Sequence, residues 1–401
     1  MEGLKMVDKY NKEIVAPGDK VSKRARDTCV KSHNNNAAIE VILRQPGNFR
    51  GAVDIAWARH ILEMMLAGKM TWNIQNDGAG GKPQFFTMIG TKEVFRHLGW
   101  EIIVMVIDDI ARSGGFPVVF SNDVNAKSVT SENVHLVDAM FDGMDDILKQ
   151  SNQVNTTGEF AIMKHSVTAF CDTSAKDQLI LNWAGTGVGL SHADKIIDGS
   201  ATKVGMPIVG FHEPGYRCNG GTMFTELILR HWAERDIKNI WENSEAMEFI
   251  KKLTIPSRSY AKTICRVNGW LPDGNIRDSL ACLVNNAHIT GGGLEKFKEV
   301  LPSGIGARID NMPKPASVLL GAQLLSFSFP DLRMNDKQAH TTFHGGCGWM
   351  SVCATLEDAE ILINEAVKDG IQAQIIGETI QSEESHLFVK SRFLEEADVL
   401  I

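Results

Sequence analysis

The sequence predicts an α/β fold in two domains. Its 401 residues are 43% hydrophobic and 22% charged, which suffices for two separate cores. Short apolar runs alternate with stretches of helical spacing. A polar interval over residues 194–202 divides the chain into residues 1–195 and 196–401. The stretch to about Gln45 is polar, includes Ser32-His33-Asn34-Asn35-Asn36, and reads as a mobile or ligand-ordered segment before the first helix. Its basic cluster, Lys20 to Arg26, reads as a solvated helix face or as an attractor for phosphate. Over residues 52–66 the spacing of Val53, Ile55, Ala56, Ile61, Met64 and Met65 predicts an amphipathic helix closed by Gly68. Residues 102–107 read as a buried strand, followed by Asp108-Asp109 and a turn at Gly114-Gly115. Leu136, Met140, Met144 and Leu148 predict a helix over 134–148, and residues 179–190 read as a strand. Further on come a strand over 207–211, a helix over 223–232, a buried segment over 280–284 and a helix from Leu294. A helix over 356–367, stopped by Asp369-Gly370, leads into a strand over 371–376.

Composition excludes several function classes. A formal net charge of -8 argues against a nucleic-acid partner and against adhesion to acidic membranes. Seven cysteines at 29, 171, 218, 265, 282, 347 and 353 form no C-x-x-C pair, so reduced thiols and a cytoplasmic location are expected. The longest apolar run, residues 316–329, contains Gly321 and Gln323 and is shorter than the roughly 20 residues that span a bilayer.

Two glycine-rich loops suggest a phosphate-bearing ligand. In His288-Ile289-Thr290-Gly291-Gly292-Gly293, three glycines between a buried segment and a helix can bring several backbone N–H groups to one anion, or can simply reverse the chain. In Asp77-Gly78-Ala79-Gly80-Gly81-Lys82, backbone N–H groups can wrap phosphate oxygens while Lys82 neutralises charge and Asp77 holds a divalent cation. That loop lacks the Walker spacing, and a solvated turn is the alternative. Asp109, with Asp108 beside it, is suited to Mg²⁺, which takes one or two carboxylates plus phosphate oxygens and water. Asp108 is expected to cap the following turn, and Glu159 is a third oxygen donor. Gly185-Thr186-Gly187-Val188-Gly189 is no dinucleotide fingerprint, because Ser191-His192-Ala193-Asp194 follows it instead of a helix. Phe343-His344-Gly345-Gly346-Cys347-Gly348 reads as a glycine loop beside a ligand more readily than as a site for a Cys347 nucleophile.

From Tyr10 to about Ile380 the chain resembles the phosphoribosylformylglycinamidine cyclo-ligase family, also called aminoimidazole ribonucleotide synthetase. The family's D-G-V-G-T-K loop resembles residues 77–82, its N-D-L resembles Asp108-Asp109-Ile110, and its G-G-E-T resembles Thr157-Gly158-Glu159-Phe160. I-I-D-G matches Ile196-Ile197-Asp198-Gly199, and S-N-G is similar to Cys218-Asn219-Gly220. P-T-R-x-Y is close to Pro256-Ser257-Arg258-Ser259-Tyr260, H-x-T-G-G-G matches residues 288–293 in full, and F-N-x-G-x-G-M resembles residues 343–350.

The resemblance implies a cytoplasmic homodimer of two-domain chains whose N-terminal domains bind ATP and pair into a β-barrel. It implies Mg²⁺ and ATP-dependent ring closure of formylglycinamidine ribonucleotide to aminoimidazole ribonucleotide, through phosphorylation of the formyl oxygen. Carried over by position, the nucleotide-binding residues are Asp77, Gly78, Gly80, Gly81, Lys82, Asn219, Gly220, Thr290, Gly291, Gly292 and Gly293. The metal ligands are Asp77, Asp109 and Glu159, and the catalytic residues Asp109, Arg217 and Lys82. Gly81, Asp108, Arg217 and His344 replace the family's threonine, asparagine, histidine and asparagine. Arginine stays cationic and only donates, so Arg217 is expected to hold a phosphate and not to shuttle a proton. The departures leave two alternatives, a paralogous ATP-dependent enzyme of the same superfamily and a non-catalytic nucleotide-binding homologue.

Overall fold

The computed structural model describes residues 16–41, 53–54, 59–234 and 236–401. They form two compact units. Unit 1 takes in residues up to 107, 117–190 and 272–274, and unit 2 takes in 108–116, 191–271 and 275–401.

Unit 1 begins with α1 (Ala16–Ser32), a two-stranded ribbon of β1 (Glu40–Val41) and β2 (Val53–Asp54), and α2 (Arg59–Leu66). Then follow β3 (Met70–Gly78), α3 (Lys82–Ile89), α4 (Lys92–Arg112), β4 (Phe116–Ala126), α5 (Val134–Gln150), β5 (Val154–Ile162) and β6 (Leu181–His192). The four longer strands form one sheet in the order β3-β6-β4-β5, with β4 and β5 parallel. The basic cluster lies on α1, where Lys20 and Arg24 pair with Asp138, Asp142 and Asp145 of α5 at 2.7–3.0 Å. That supports a helix face docked on its neighbour and leaves Arg24 no role as a phosphate attractor. The expected mobile N-terminal segment lies outside the described residues at 1–15 and 42–45, and over residues 16–32 the expectation is corrected, since those residues form α1.

Two expectations are corrected here. The helix over 52–66 begins only at Arg59, since Val53–Asp54 pairs as a strand with Glu40–Val41, and residues 55–58 lie outside the described set. The strand over 102–107 is the interior of α4, a helix of 21 residues. Ile102, Ile103, Val104, Met105, Val106 and Ile107 are all at most 1% exposed. A helix buried on every side shows no amphipathic period, so its apolar run cannot be told from a buried strand. It crosses α5 at Gly99 and Gly143, where a Cβ would lie 2.2 Å from the Met140 carbonyl oxygen and 1.9 Å from that of Arg96. Backbone contact at this crossing requires both glycines.

Unit 2 is built on seven strands: β7 (Pro207–His212), β8 (Leu283–His288), β9 (Ile305–Ile309), β10 (Cys347–Cys353), β11 (Ala373–Gln381), β12 (Leu387–Lys390) and β13 (Asp398–Leu400). Their order is β13-β12-β9-β11-β7-β10-β8, antiparallel except for β12 beside β9. Its helices are α6 (Gly221–Ile228), continued by a π-helical turn over Leu229–Ala233, then α7 (Asn239–Glu242), α8 (Ser244–Leu253), α9 (Ala261–Val267) and α10 (Glu295–Val300). They are followed by α11 (Ser317–Ser326), α12 (Asp336–Thr342) and α13 (Leu356–Lys368). The core joins Ile208, Ala287, Phe297, Ile309, Met350 and Ile376. The last turn of α4 and the residues after it belong to this unit, tied by Asn268 Nδ2 and Trp270 Nε1 donating to the Gly114 carbonyl oxygen and by Phe116 stacked on Trp270. No helix among the described residues is long and apolar enough to cross a membrane.

Candidate functional site

Unit 2 buries an ionic network around Arg217. The residue lies between β7 and α6 at φ 50, followed by Cys218 at φ 59, a left-handed pair that a non-glycine residue adopts only when its surroundings enforce it. Arg217 is 0% exposed and uses five donors. Nη1 donates to Glu213 Oε2 (2.8 Å) and to the Arg258 carbonyl oxygen (2.6 Å). Nη2 donates to Asp108 Oδ2 (2.5 Å) and His288 Nε2 (2.7 Å), and Nε to His288 Nε2 (3.2 Å). The guanidinium also lies 4.6 Å from the Tyr260 ring centroid. A phosphate here would have to displace a buried partner, so the expectation that Arg217 holds phosphate is corrected: this arginine positions other residues.

Its main effect falls on His288. Arginine has no acceptor, so His288 Nε2 must accept, and the ring proton sits on Nδ1. Nδ1 then donates to Asp109 Oδ1 at 2.9 Å. The carboxyl of Asp109 lies below its ordinary range. Burial opposes its charge, and the hydrogen bond from His288 and the cations Arg112 and Arg217 outweigh that. Its Oδ2 accepts no hydrogen bond among the described residues, and its side chain is 25% exposed. Asp109 is therefore an ionised, oriented carboxylate with one oxygen available.

Asp108 is fully buried and caps an element distant in sequence. Its Oδ1 accepts from the N–H groups of Tyr260 and Ala261 at the start of α9, 3.0 and 2.8 Å away, so the cap expected on its own turn is corrected. Neighbours on a helix are about 100° apart, so both carboxylates reach this network, as neighbours in a strand could not. Burial pushes the Asp108 carboxyl up, against Arg217. Glu213 Oε2 also accepts from Tyr260 Oη at 3.0 Å, and burial and Glu213 raise the Tyr260 hydroxyl well above its usual value. Gly348 permits this packing, because a Cβ there would lie 2.4 Å from Tyr260 Oη and 2.8 Å from Glu213 Oε2. Sequence reading missed Glu213 and the roles of Tyr260 and His288. Tyr260 carried a signal as the end of the P-T-R-x-Y match and His288 as head of its glycine run, whereas Glu213 carried none.

Beside this network lies the run Thr290 to Gly293. Gly291 faces open space, whereas Gly293 is required by packing, since a Cβ there would lie 2.2 Å from the His340 carbonyl oxygen. Asn219, on the turn before α6, is 0% exposed, and neither Oδ1 nor Nδ2 has a hydrogen-bond partner among the described residues. Gly220 follows at φ 74. His344 Nδ1 accepts from the Gly346 N–H, so its Nε2 donates to the Gly215 carbonyl oxygen (2.9 Å). Cys347 is buried in β10, and burial raises its thiol pKa, the opposite of the shift a thiolate nucleophile needs.

In unit 1 the loop over residues 77–82 joins β3 to α3, with Gly78 and Gly80 exposed, Gly80 at φ 56 and Gly81 as N-cap. Asp77 Oδ1 accepts from the Gly78 N–H at 2.7 Å. Lys82 is turned inward, its Nζ 2.7 Å from Glu101 Oε2 of α4 with both side chains 0% exposed. Its charge is thus already matched inside the unit, by a glutamate with no motif to mark it. Glu159 is exposed on β5, in register with Asp123 of β4. No group of three or more His, Cys, Asp or Glu side chains that could hold a metal occurs among the described residues.

Known proteins show similarities to the chain. Residues 61–188 match the family described as AIR synthase related protein, N-terminal domain. A phosphoribosylformylglycinamidine cyclo-ligase of Methanocaldococcus jannaschii is 26% identical over 309 residues, 77% of this chain and 78% of that one. Its counterpart in Bacillus pumilus is 23% identical over 357 residues, 88% and 91% of the two chains. The fold is shared with the hydrogenase maturation protein HypE. An ATP complex superposes with a TM-score of 0.52 at 12% identity over 82% of this chain and 84% of that one. Escherichia coli HypE superposes with a TM-score of 0.52 at 13% identity over 94% of each. Over most of its length the chain is similar to phosphoribosylformylglycinamidine cyclo-ligases at 23–26% identity, and residues 61–188 match the AIR synthase related N-terminal domain.

Proposed function

We propose that the protein closes the imidazole ring of formylglycinamidine ribonucleotide with ATP, yielding aminoimidazole ribonucleotide, ADP and phosphate. Its cyclo-ligase relatives make it an enzyme of the ligase class. The observation that carries the reading is Asp109, a carboxylate kept ionised and aimed by His288 beside the glycine run that the resemblance assigns to nucleotide. Transfer of the γ-phosphoryl group to the formyl oxygen makes that oxygen a phosphate leaving group, and the amidine nitrogen then attacks the activated carbon. Such a step depends on positioning and charge neutralisation and needs no covalent nucleophile.

In this reading Asp77, Gly78, Gly80 and Gly81, together with Thr290, Gly291 and Gly292, hold phosphate groups through backbone N–H donors. Asn219 and Gly220 contact the nucleotide, and the buried, unpartnered amide of Asn219 supports that role. Asp109 would ligate Mg²⁺ together with phosphate oxygens and water, and the ion would supply neutralisation of phosphate charge; Asp77 and Glu159 are not kept beside it, because no three such side chains form a metal-holding group among the described residues. Arg217 acts by holding His288, and Lys82 by tightening the loop that follows Asp77. A homodimer with a shared β-barrel belongs to the same reading.

The test incubates the full chain with Mg²⁺-ATP and formylglycinamidine ribonucleotide, following ADP and the diazo-coupled colour of the product. Both should appear. Asp109→Asn should lower turnover by at least about 100-fold while melting near the parent temperature. A near-normal rate in that variant removes Asp109 from the site. ADP without the ring product moves the reading to a paralogous phosphoryl-transfer enzyme, and neither signal overturns it.

A further inference from the structure

Unit 2 contains a polar cavity of about 310 Å³, lined in part by His212, Glu213, Arg258, Lys314, Gly346 and Gln372. Two of these side chains are cations, Arg258 and Lys314. Both are exposed, and neither forms an ion pair or a side-chain hydrogen bond among the described residues. The acid in the cavity is already occupied: Glu213 is 3% exposed, and its Oε2 accepts from Arg217, Tyr260 and the Arg258 N–H. The two cations are therefore left without a protein counter-charge in a chain whose net charge is -8.

The walls are rigid. The Arg258 carbonyl oxygen accepts from Arg217 Nη1 at 2.6 Å and its N–H donates to Glu213, so the backbone is fixed while the guanidinium is left to bind. Lys314 stands between Pro313 and Pro315, which restrict the backbone on both sides. The Pro313 and Lys314 carbonyl oxygens lie 2.9 and 3.1 Å from where a Cβ of Gly346 would be, so that loop rests directly on the glycine. His212 Nε2 and Gln374 Oε1, 2.9 Å apart, occupy each other.

We propose that this cavity binds a small phosphate monoester, separately from the glycine loops over residues 77–82 and 290–293. A phosphate monoester carries close to two negative charges at neutral pH, matching two cations. A guanidinium offers a bidentate fork and an ammonium a compact point charge, a pairing suited to phosphate oxygens. The volume is at the lower end of ligand pockets, the size range of a sugar phosphate.

Binding is measured on the full chain by calorimetry and ³¹P line broadening, with inorganic phosphate, ribose 5-phosphate and acetate as probes and without ATP. Saturable binding of both phosphates with a Kd on the order of millimolar is expected, with acetate much weaker. Arg258→Gln and Lys314→Gln should each weaken phosphate binding about tenfold with unchanged melting, both side chains being exposed. Undiminished binding in the double variant, equal binding of acetate, or no saturable binding overturns the proposal. Because no turnover is read, failure of the ring-closure assay leaves this result intact, and the reverse also holds.

Discussion

Each unit buries a cation completely, and the two burials differ. In unit 1 Lys82 meets Glu101 at 2.7 Å, one positive charge against one negative. In unit 2 Arg217 meets Asp108 and Glu213 together, and its remaining donors go to His288 and the Arg258 carbonyl oxygen. A lysine–glutamate pair in a closed interior can be exchanged for apolar side chains of similar size, since removing both charges removes both desolvation costs. The arginine network cannot be exchanged so simply, because it also sets which nitrogen of His288 carries the proton. One burial maintains a fold, and the other also orients the carboxylate offered to a ligand.

Removing Arg217 is the largest perturbation. Arg217→Met leaves Asp108 and Glu213 buried without a cation and should cost on the order of 5 kcal/mol, or prevent folding. Urea titration of a purified variant within about 1 kcal/mol of the parent would break the comparison. Lys82→Met should cost about 3 kcal/mol, and Lys82→Met with Glu101→Leu should recover to within about 1 kcal/mol of the parent. A double variant no better than the single would show that the pair does more than neutralise itself.

His340 sharpens the contrast within unit 2 as a buried group whose burial outweighs the nearby carboxylate of Asp336. Burial pushes its pKa down to about 4, and Nδ1 has no partner among the described residues. Between its ordinary value of 6.5 and about 4, the unfolded chain binds a proton that the folded chain does not. Stability therefore falls as the pH drops through that window, by up to about 3 kcal/mol. The urea midpoint measured from pH 7 to pH 4.5 should decline less steeply in His340→Gln, and an identical slope would refute the assignment. The smallest effect belongs to the solvated Lys20–Asp138 pair. Lys20→Ala, whose parent side chain is 59% exposed, should change stability by less than about 0.5 kcal/mol in a thermal melt.

Much of the fold was legible because amphipathic elements announce themselves. Residues 134–148 and 356–367 carry a helical period in the chain and 207–211 is a short apolar run, and the structure shows helices at the first two and a strand at the third. The glycine runs over residues 77–82 and 290–293 were legible as loops, and the structure sets each between a strand and a helix. Residues 102–107 were not, because complete burial erases the period that separates helix from strand. The network was legible only in part: Asp109, Arg217 and Tyr260 stood out beside the family pattern, whereas Glu101 and Glu213 did not.

Sequence by itself determined the α/β class, the glycine runs, the carboxylates at 108 and 109 and the arginine in place of a histidine. Those are properties of residue type and local spacing. Tertiary structure decided that Lys82 faces Glu101, that Asp108 caps a helix 152 residues away, and that Arg217 fixes the proton of His288. The physical reason is that the state of a buried charge depends on whatever the fold brings within about 3 Å of it, and residues far apart in the chain supply that shell.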